Sequence, residues 1–204
     1  RDCLGSSLMW KEIISIFKKD NLYQQAFEEA CEMLDTDGRM YTASIESLRQ
    51  HDSAEIDLDI YALDKEINRS ERDVRKKVMK HLMLSSDTQL NSGLALVSVV
   101  IDIERIGDYT KNIYDLARSH PKRLKAGSLE AKLQEIEAHI TEVFTHAIEA
   151  FKEGDEELAR QVMEEYKEEI STDCDDMAGD VISGKVSDLE SPEAAAVVLY
   201  VRFL

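Results

Sequence analysis

The chain has 204 residues, a formal net charge of −17 and a pI near 4.7. Only 2 prolines and 8 glycines, with 43% hydrophobic and 6% aromatic residues, are typical of an α-helical protein rather than a β-sandwich or a disordered chain. So strong a negative charge repels the phosphates of nucleic acids and anionic lipid headgroups. The composition therefore argues against a nucleic-acid partner and favours cations as small ligands.

The cysteines and the apolar runs indicate the compartment. Cys3, Cys31 and Cys174 are odd in number and form no C-x-x-C pair, which argues against a disulfide framework and favours a reducing environment. The longest apolar runs, residues 94–101 and 194–201, are much shorter than the roughly 20 residues of a transmembrane helix. We therefore expect a cytoplasmic protein that does not insert into a membrane.

Apolar residues recur at helical spacing along most of the chain and predict an all-α fold. The predicted helices span residues 8–19, 22–50, 54–83, 87–119, 129–152 and 155–184, with a last helix from about 191 onward. The helix at 8–19 is a short N-terminal extension. A basic segment with proline and glycine at 121–127 is the best domain boundary, and it divides the chain into residues 1–121 and 122–204.

The second half of the chain resembles the first. At a shift of 103 residues, 8 pairs of identical residues coincide without a gap, and a shift of 101 residues aligns Asp87 with Asp188. This register indicates a duplicated three-helix unit. It places the counterparts of Glu104 and Asp108 just after Leu204, so the second unit is expected to be incomplete in its last helix.

The third helix has a row of oxygen-bearing side chains along residues 97–117. At 100° per residue, Glu104, Asp108, Asn112 and Asp115 lie within about 80° of one another. Carboxylates spaced i, i+4 are about 6 Å apart and repel each other, so they need open solvent or a cation. Oxygen ligands suit Mg²⁺, Mn²⁺, Ca²⁺ or iron. Metal binding by Glu104 and Asp108, with Asn112 as a weaker third ligand, is therefore one interpretation.

A solvated helix face is the other interpretation of this row. Arg105 and Lys111 flank it and would pair with its carboxylates as weak surface ion pairs. Gly107, inside the row, costs about 1 kcal/mol relative to alanine, and such a glycine either marks the close approach of another group or is merely tolerated. Asp102 falls toward the apolar side of the helix, where a charge needs a partner or a wet interface.

Residues 102–113, D-I-E-R-I-G-D-Y-T-K-N-I, resemble the signature of the PhoU family of phosphate-uptake regulators. Members of that family have an E(or D)-x-x-x-D motif followed by an Asn-Ile pair. Residues 63–71 (LDKEINRSE) and 151–159 (FKEGDEELA) are similar to further segments of the family. The resemblance extends over about residues 22–204.

The resemblance implies two tandem antiparallel three-helix bundles, the second one truncated in its last helix. It implies divalent or iron-type metal ions on Glu104 and Asp108, beside Asn112. In this family the domain restrains a phosphate-specific transporter and its sensor kinase when phosphate is plentiful. The implied partners are therefore components of a phosphate transporter and that kinase, and a homodimer is left open.

Two alternatives stay open from the sequence. Domains that resemble PhoU also occur as the soluble tail of sodium/phosphate cotransporters, and a metal-free helical bundle that binds other proteins also fits the composition. An enzyme is the weaker class, because the sequence has no Ser/His/Asp, Cys/His or phosphate-loop constellation. Its five histidines are scattered and form none of the pairs typical of di-iron bundles.

Overall fold

The computed structural model describes residues 22–84, 90–120 and 122–204. Regular structure in these segments is helical without any strand, which confirms the predicted all-α class. The elements are α1 (Leu22–Gln50), α2 (Ile60–Leu84), α3 (Leu90–Ser119), a 3₁₀ turn (Gly127–Leu129), α4 (Glu130–Glu153), α5 (Glu156–Glu165), a π turn (Tyr166–Ile170), α6 (Ser171–Ile182) and α7 (Ser191–Phe203). The predicted helix at 8–19 and the predicted start of the third helix at residue 87 lie outside the described residues.

The apolar periodicity predicted the extent of α1 correctly but not the start of α2. Helix α1 is continuous through Gly38, as its unbroken apolar stripe predicts. Helix α2 begins at Ile60, so the predicted start at residue 54 is wrong. The side chain of Asp59 accepts a hydrogen bond from the Ala62 amide at 3.0 Å, which caps the helix at this later position.

Helices α1, α2 and α3 pack around one apolar core. Glu29, early in α1, pairs with Lys77, late in α2, at 2.5 Å, so these two helices are antiparallel. Asp64, early in α2, pairs with Lys111, late in α3, at 2.8 Å, so α2 and α3 are antiparallel as well. The buried core residues of this group are Tyr23, Ala26, Ala30, Met33, Leu34, Met40, Ile60, Ile67, Val74, Val78, Leu96, Val100 and Ile103.

The second half of the chain forms another group of helices. The predicted helix at 155–184 is present as α5, the π turn and α6, which follow one another without an interruption in the helical backbone. Asp155 caps α5 by accepting hydrogen bonds from the amides of Glu157 and Leu158, both at 3.0 Å. Lys132, early in α4, pairs with Asp173 at 2.5 Å, so α4 is antiparallel to the α5–α6 segment.

The two groups of helices share buried surface. Helices α1 and α4 lie antiparallel, and the rings of Tyr41 and Phe144 meet edge to face at 5.4 Å. Arg49, whose side chain is only 8% exposed, pairs with Glu130 at 2.5 Å and with Glu137 at 2.7 Å. The predicted division at residue 121 stays a prediction, because helices from both sides of it contribute to one apolar cluster. None of the helices in the described segments is long and apolar enough to cross a membrane.

Candidate functional site

The buried face of α3 determines where its acidic row lies. The buried residues of this helix are Ser92, Gly93, Leu96, Val100, Ile103, Gly107, Thr110, Ile113 and Ala117. The centre of that face lies about 100° around the helix from Glu104. Glu104, Asp108 and Asn112 are accordingly half-buried rather than on the side opposite the core. The first two belong to a groove between α3 and α2.

Lys111 joins the two walls of this groove. Its Nζ donates hydrogen bonds to Asp108 Oδ1 at 2.6 Å and to Asp64 Oδ1 on α2 at 2.8 Å. Burial by itself lowers the pKa of Lys111, but the hydrogen bonds to the two carboxylates outweigh it and hold that pKa above its usual value. The ammonium group therefore stays charged and neutralises part of the negative charge in the groove.

Glu104 lies among carboxylates on both helices. Burial raises the pKa of Glu104 above its usual value, and the charges of Asp108, Glu71 and Asp64 raise it further. Lys111 acts in the opposite direction but does not outweigh them. We call Asp64, Glu71, Glu104 and Asp108 the α2–α3 acidic cluster. It is a set of oxygen donors with excess negative charge.

Asp37 on α1 lies beneath this cluster. The residue has no exposed surface, and neither of its carboxyl oxygens has a hydrogen-bond partner within the described part of the chain. Burial, followed by the charges of Glu104 and Asp64, raises the pKa of Asp37 from 3.8 to about 9. Without a bound cation, this carboxyl group is therefore protonated at neutral pH.

Gly107 makes room for Asp37. A Cβ atom built on Gly107 would lie 2.9 Å from Asp37 Oδ1 and 3.2 Å from Ile67 Cδ1. The first distance is shorter than real Cβ contacts, so no larger residue fits without displacing the carboxyl group. The expectation that this glycine marks the close approach of another group is confirmed.

The remaining polar residues of α3 lie outside the cluster. Asp102 is exposed and pairs with Arg105 at 3.3 Å, so the expectation that it points to the apolar side is wrong, because the core face of α3 is rotated away from it. Asp115 accepts a hydrogen bond from the Tyr61 hydroxyl. Arg105 therefore does not neutralise the predicted ligands, whereas Lys111 does.

Sequence reasoning missed three members of this site. Asp64 and Glu71 lie in the LDKEINRSE segment that resembles the family, but periodicity does not place them opposite Glu104. Asp37 occupies a core position in the apolar stripe of α1, between Met33 and Met40. A carboxylate at such a position is the signal that could have revealed it.

The side chains of the cluster are of the type that binds oxygen-preferring cations. Their present geometry, however, is not that of a formed metal site. Carboxylate oxygens are the usual ligands of Mg²⁺, Mn²⁺ and Ca²⁺. However, the described residues contain no group of three or more acidic, histidine or cysteine side chains already positioned to hold a metal ion. Lys111 lies between Asp64 and Asp108 instead. A metal ion would therefore bind by displacing this ammonium group from the carboxylates.

The fold and this site define an all-α helical-bundle protein with an acidic groove between two antiparallel helices. Residues 30–117 match the family model of the PhoU domain. This segment contains all of α2 and most of α1 and α3, and it includes every residue of the acidic cluster. This segment of the chain is therefore similar to the PhoU domain, whose family consists of regulatory and non-enzymatic domains. None of the curated proteins compared with the chain matches it.

Proposed function

We propose that this protein is a metal-binding cytoplasmic regulator of phosphate uptake and phosphate signalling. It acts as an adaptor, not as an enzyme, on components of a phosphate transporter and on the associated sensor kinase. The observation that supports this most is the α2–α3 acidic cluster, which lies wholly within the residues that match the PhoU domain.

In this proposal Glu104 and Asp108 are the principal metal ligands, and Asn112 lies beside them. Asp64, opposite them on α2, already shares Lys111 with Asp108 and supplies a further carboxylate. A divalent or iron-type ion would neutralise these charges and cross-link α2 to α3. Lys111 returns to solvent when the ion binds, because its long side chain needs only rotations about its own bonds to leave.

The surface at the end of α2 supports the adaptor role. Met79, Met83 and Leu84 are more than half exposed, at 53%, 81% and 83%. Neighbouring side chains on α2 are basic, including Arg72 and Lys76, although the chain as a whole is strongly acidic. Exposed apolar groups beside basic ones are typical of a protein-binding surface, and this end of the bundle is the proposed contact with the transporter.

The metal part of the proposal is tested by titrating Mn²⁺ into the purified protein by calorimetry. We expect binding by the wild type and a loss of at least roughly tenfold in affinity when Glu104→Gln and Asp108→Asn are combined, because two charged ligands are removed. Asp102→Asn is the matched control, since this carboxylate is exposed on the same helix. Equal and negligible binding by all three proteins would refute the metal site.

The regulatory part is tested in the organism that encodes the protein. Deletion of the gene should raise expression of phosphate-starvation genes during growth in abundant phosphate, and the wild-type gene should restore repression. The combined Glu104→Gln and Asp108→Asn variant should restore it poorly if the metal is needed. Unchanged expression after deletion would contradict a role in phosphate signalling.

A further inference from the structure

We infer that the predicted helix at residues 8–19 docks in an apolar groove between the end of α4 and the start of α5, here called the α4–α5 groove. The groove has a volume of about 230 Å³, and its apolar lining includes Phe151, Ala159, Val162 and Met163. Met163 is 59% exposed, so the groove opens to the surface. Docking of this segment is independent of metal binding by the acidic cluster.

Residues 8–19 have one apolar face. At 100° per residue, the side chains of Trp10, Ile13, Ile14 and Phe17 lie within about 100° of one another. A helix of about 12 residues is marginally stable in water by itself, and large aromatic side chains on one face of a helix are normally buried against another element. The segment therefore needs an apolar surface to pack against.

Helix α1 starts well beyond the end of α4. The two helices are antiparallel, and Asp35 on α1 pairs with Lys152, in the last turn of α4, at 2.8 Å. Leu22, the first residue of α1, therefore lies about 20 Å past this level along the helix axis. A helix at residues 8–19 is about 18 Å long. Helices joined by short connections pack antiparallel, and a helix folded back along α1 in this way returns its first residues to the level of the groove.

The rings of Phe27 and Phe151 connect the first turns of α1 to the α4–α5 groove. Their centroids are 5.1 Å apart in a stacked arrangement, and Phe151 also lines the groove. Only Asp20 and Asn21 separate the predicted helix from α1. The covalent connection therefore keeps the segment close to the groove, at a high effective concentration.

The charges of the segment and of the groove are opposite. Residues 8–19 contain three lysines and one glutamate, in a chain whose net charge is −17. Asp155 and Glu156 line the groove, and none of the described residues that line it is basic. Complementary charge around an apolar contact selects one partner over others. A second copy of this acidic chain would be repelled here, so the basic segment is the better occupant.

Trp10 is the only tryptophan of the chain, so tryptophan fluorescence of the intact protein reports on this segment alone. In the docked segment its emission should lie at shorter wavelength, and acrylamide should quench it less, than in a synthetic peptide of residues 1–21. Met163→Lys places a positive charge in the groove at a largely exposed position, so it should restore most of the quenching seen in the peptide. Gln161→Lys is the matched control, because it adds the same charge at an exposed position of α5 outside the groove, and it should leave Trp10 protected.

Circular dichroism verifies that both variants are folded. Equal quenching of Trp10 in the wild-type protein and in the peptide would overturn the inference. Equal protection in the wild type and in both variants would overturn it as well, because the segment would then pack against another surface. Protection that disappears on dilution, together with a dimer in analytical ultracentrifugation, would mean that the segment binds a second copy, and this result would overturn docking within one chain.

Discussion

Two sets of charged side chains, one in each group of helices, differ in their burial and in their contacts. In the α1–α3 group, Lys111 contacts Asp64 and Asp108 at 2.8 Å and 2.6 Å in a groove above the buried Asp37. In the α4–α7 group, His139 lies 4.0 Å from Glu165 and 3.8 Å from Glu169, beside the π turn and near the surface. Antiparallel helices thus give a closed, partly buried set of charges beside α3 and an open set beside the π turn.

This difference shows that a row of carboxylates along a helix does not by itself form a candidate metal site. The first half differs because a core position of α1 holds an aspartate and the facing position of α3 holds a glycine. Both are needed, because the carboxyl group has no room without Gly107.

Arg49→Ala should break the connection between the two halves. The side chain of Arg49 is 8% exposed and neutralises Glu130 and Glu137, so its removal leaves these partly buried carboxylates without an opposite charge. We expect a loss of about 3 kcal/mol in the free energy of unfolding, measured by urea denaturation. Arg123→Ala, which removes an exposed pair with Asp52, should cost much less, because water screens exposed ion pairs. Equal losses in the two variants would show that the buried pair does not join the halves.

A glycine-to-alanine pair compares the two halves directly. Gly107→Ala should destabilise the protein by about 1–3 kcal/mol, because the new methyl group overlaps Asp37 and Ile67. Gly179→Ala, on α6, should instead stabilise it by about 0.5–1 kcal/mol, since no atom of the described residues lies within 4 Å of the added methyl group. Thermal melts of both variants measure the sign. Stabilisation by Gly107→Ala would contradict the close contact with Asp37.

The pH dependence of stability should report on Asp37 in metal-free buffer. Its pKa is raised from 3.8 to about 9, so between these values the folded protein holds a proton that the unfolded chain has released. The free energy of unfolding should therefore fall as pH rises from about 4 to about 9, by at most about 1.4 kcal/mol per pH unit from this group. Glu104 and Asp64 are the charged groups that act on Asp37, and both raise its pKa further.

Asp37→Asn is the variant that isolates this effect. It removes the titrating group, so its free energy of unfolding should depend less on pH than that of the wild type. Urea denaturation of both proteins in the presence of a chelator, at about pH 5 and at about pH 8, measures the difference. Parallel curves would show that Asp37 does not hold a proton in the folded state.

Asp108→Ala should have the smallest effect on stability. The side chain of Asp108 is 46% exposed, and its removal relieves repulsion with Glu104 while Asp64 still accepts from Lys111. We expect a change within about 1 kcal/mol in metal-free buffer. A large drop in melting temperature there would mean that the pair with Lys111 holds α3 in place.

Periodicity predicted the fold well because burial of an apolar stripe leaves a local trace in the sequence. The continuous α1 and the boundaries of α4 came from such stripes. The start of α2 could not be predicted in this way, since residues 54–59 have a helical pattern but Asp59 caps the helix only at Ile60. A choice between competing caps depends on the surrounding fold.

The candidate site could be predicted only in part. Spacing placed Glu104 and Asp108 on one face, and their role as metal ligands stays a prediction. The orientation of that face relative to α2 depends on packing between the helices. Spacing alone therefore could not place Asp64 opposite Glu104 and Asp108. Asp37 did leave a trace, as a charged residue in an apolar stripe, but the trace gives no information about the partner it faces.

Lys111 affects the concentration of metal at which the acidic cluster would bind a cation. A cation that binds to Asp64 and Asp108 must compete with an ammonium group attached to the same helix, whose local concentration never changes. Its apparent affinity is therefore reduced by the share of molecules in which Lys111 occupies the carboxylates. Such a site fills at higher concentrations of free metal than the carboxylates alone would require. Substitution of Lys111 would lower that concentration without altering a single ligand.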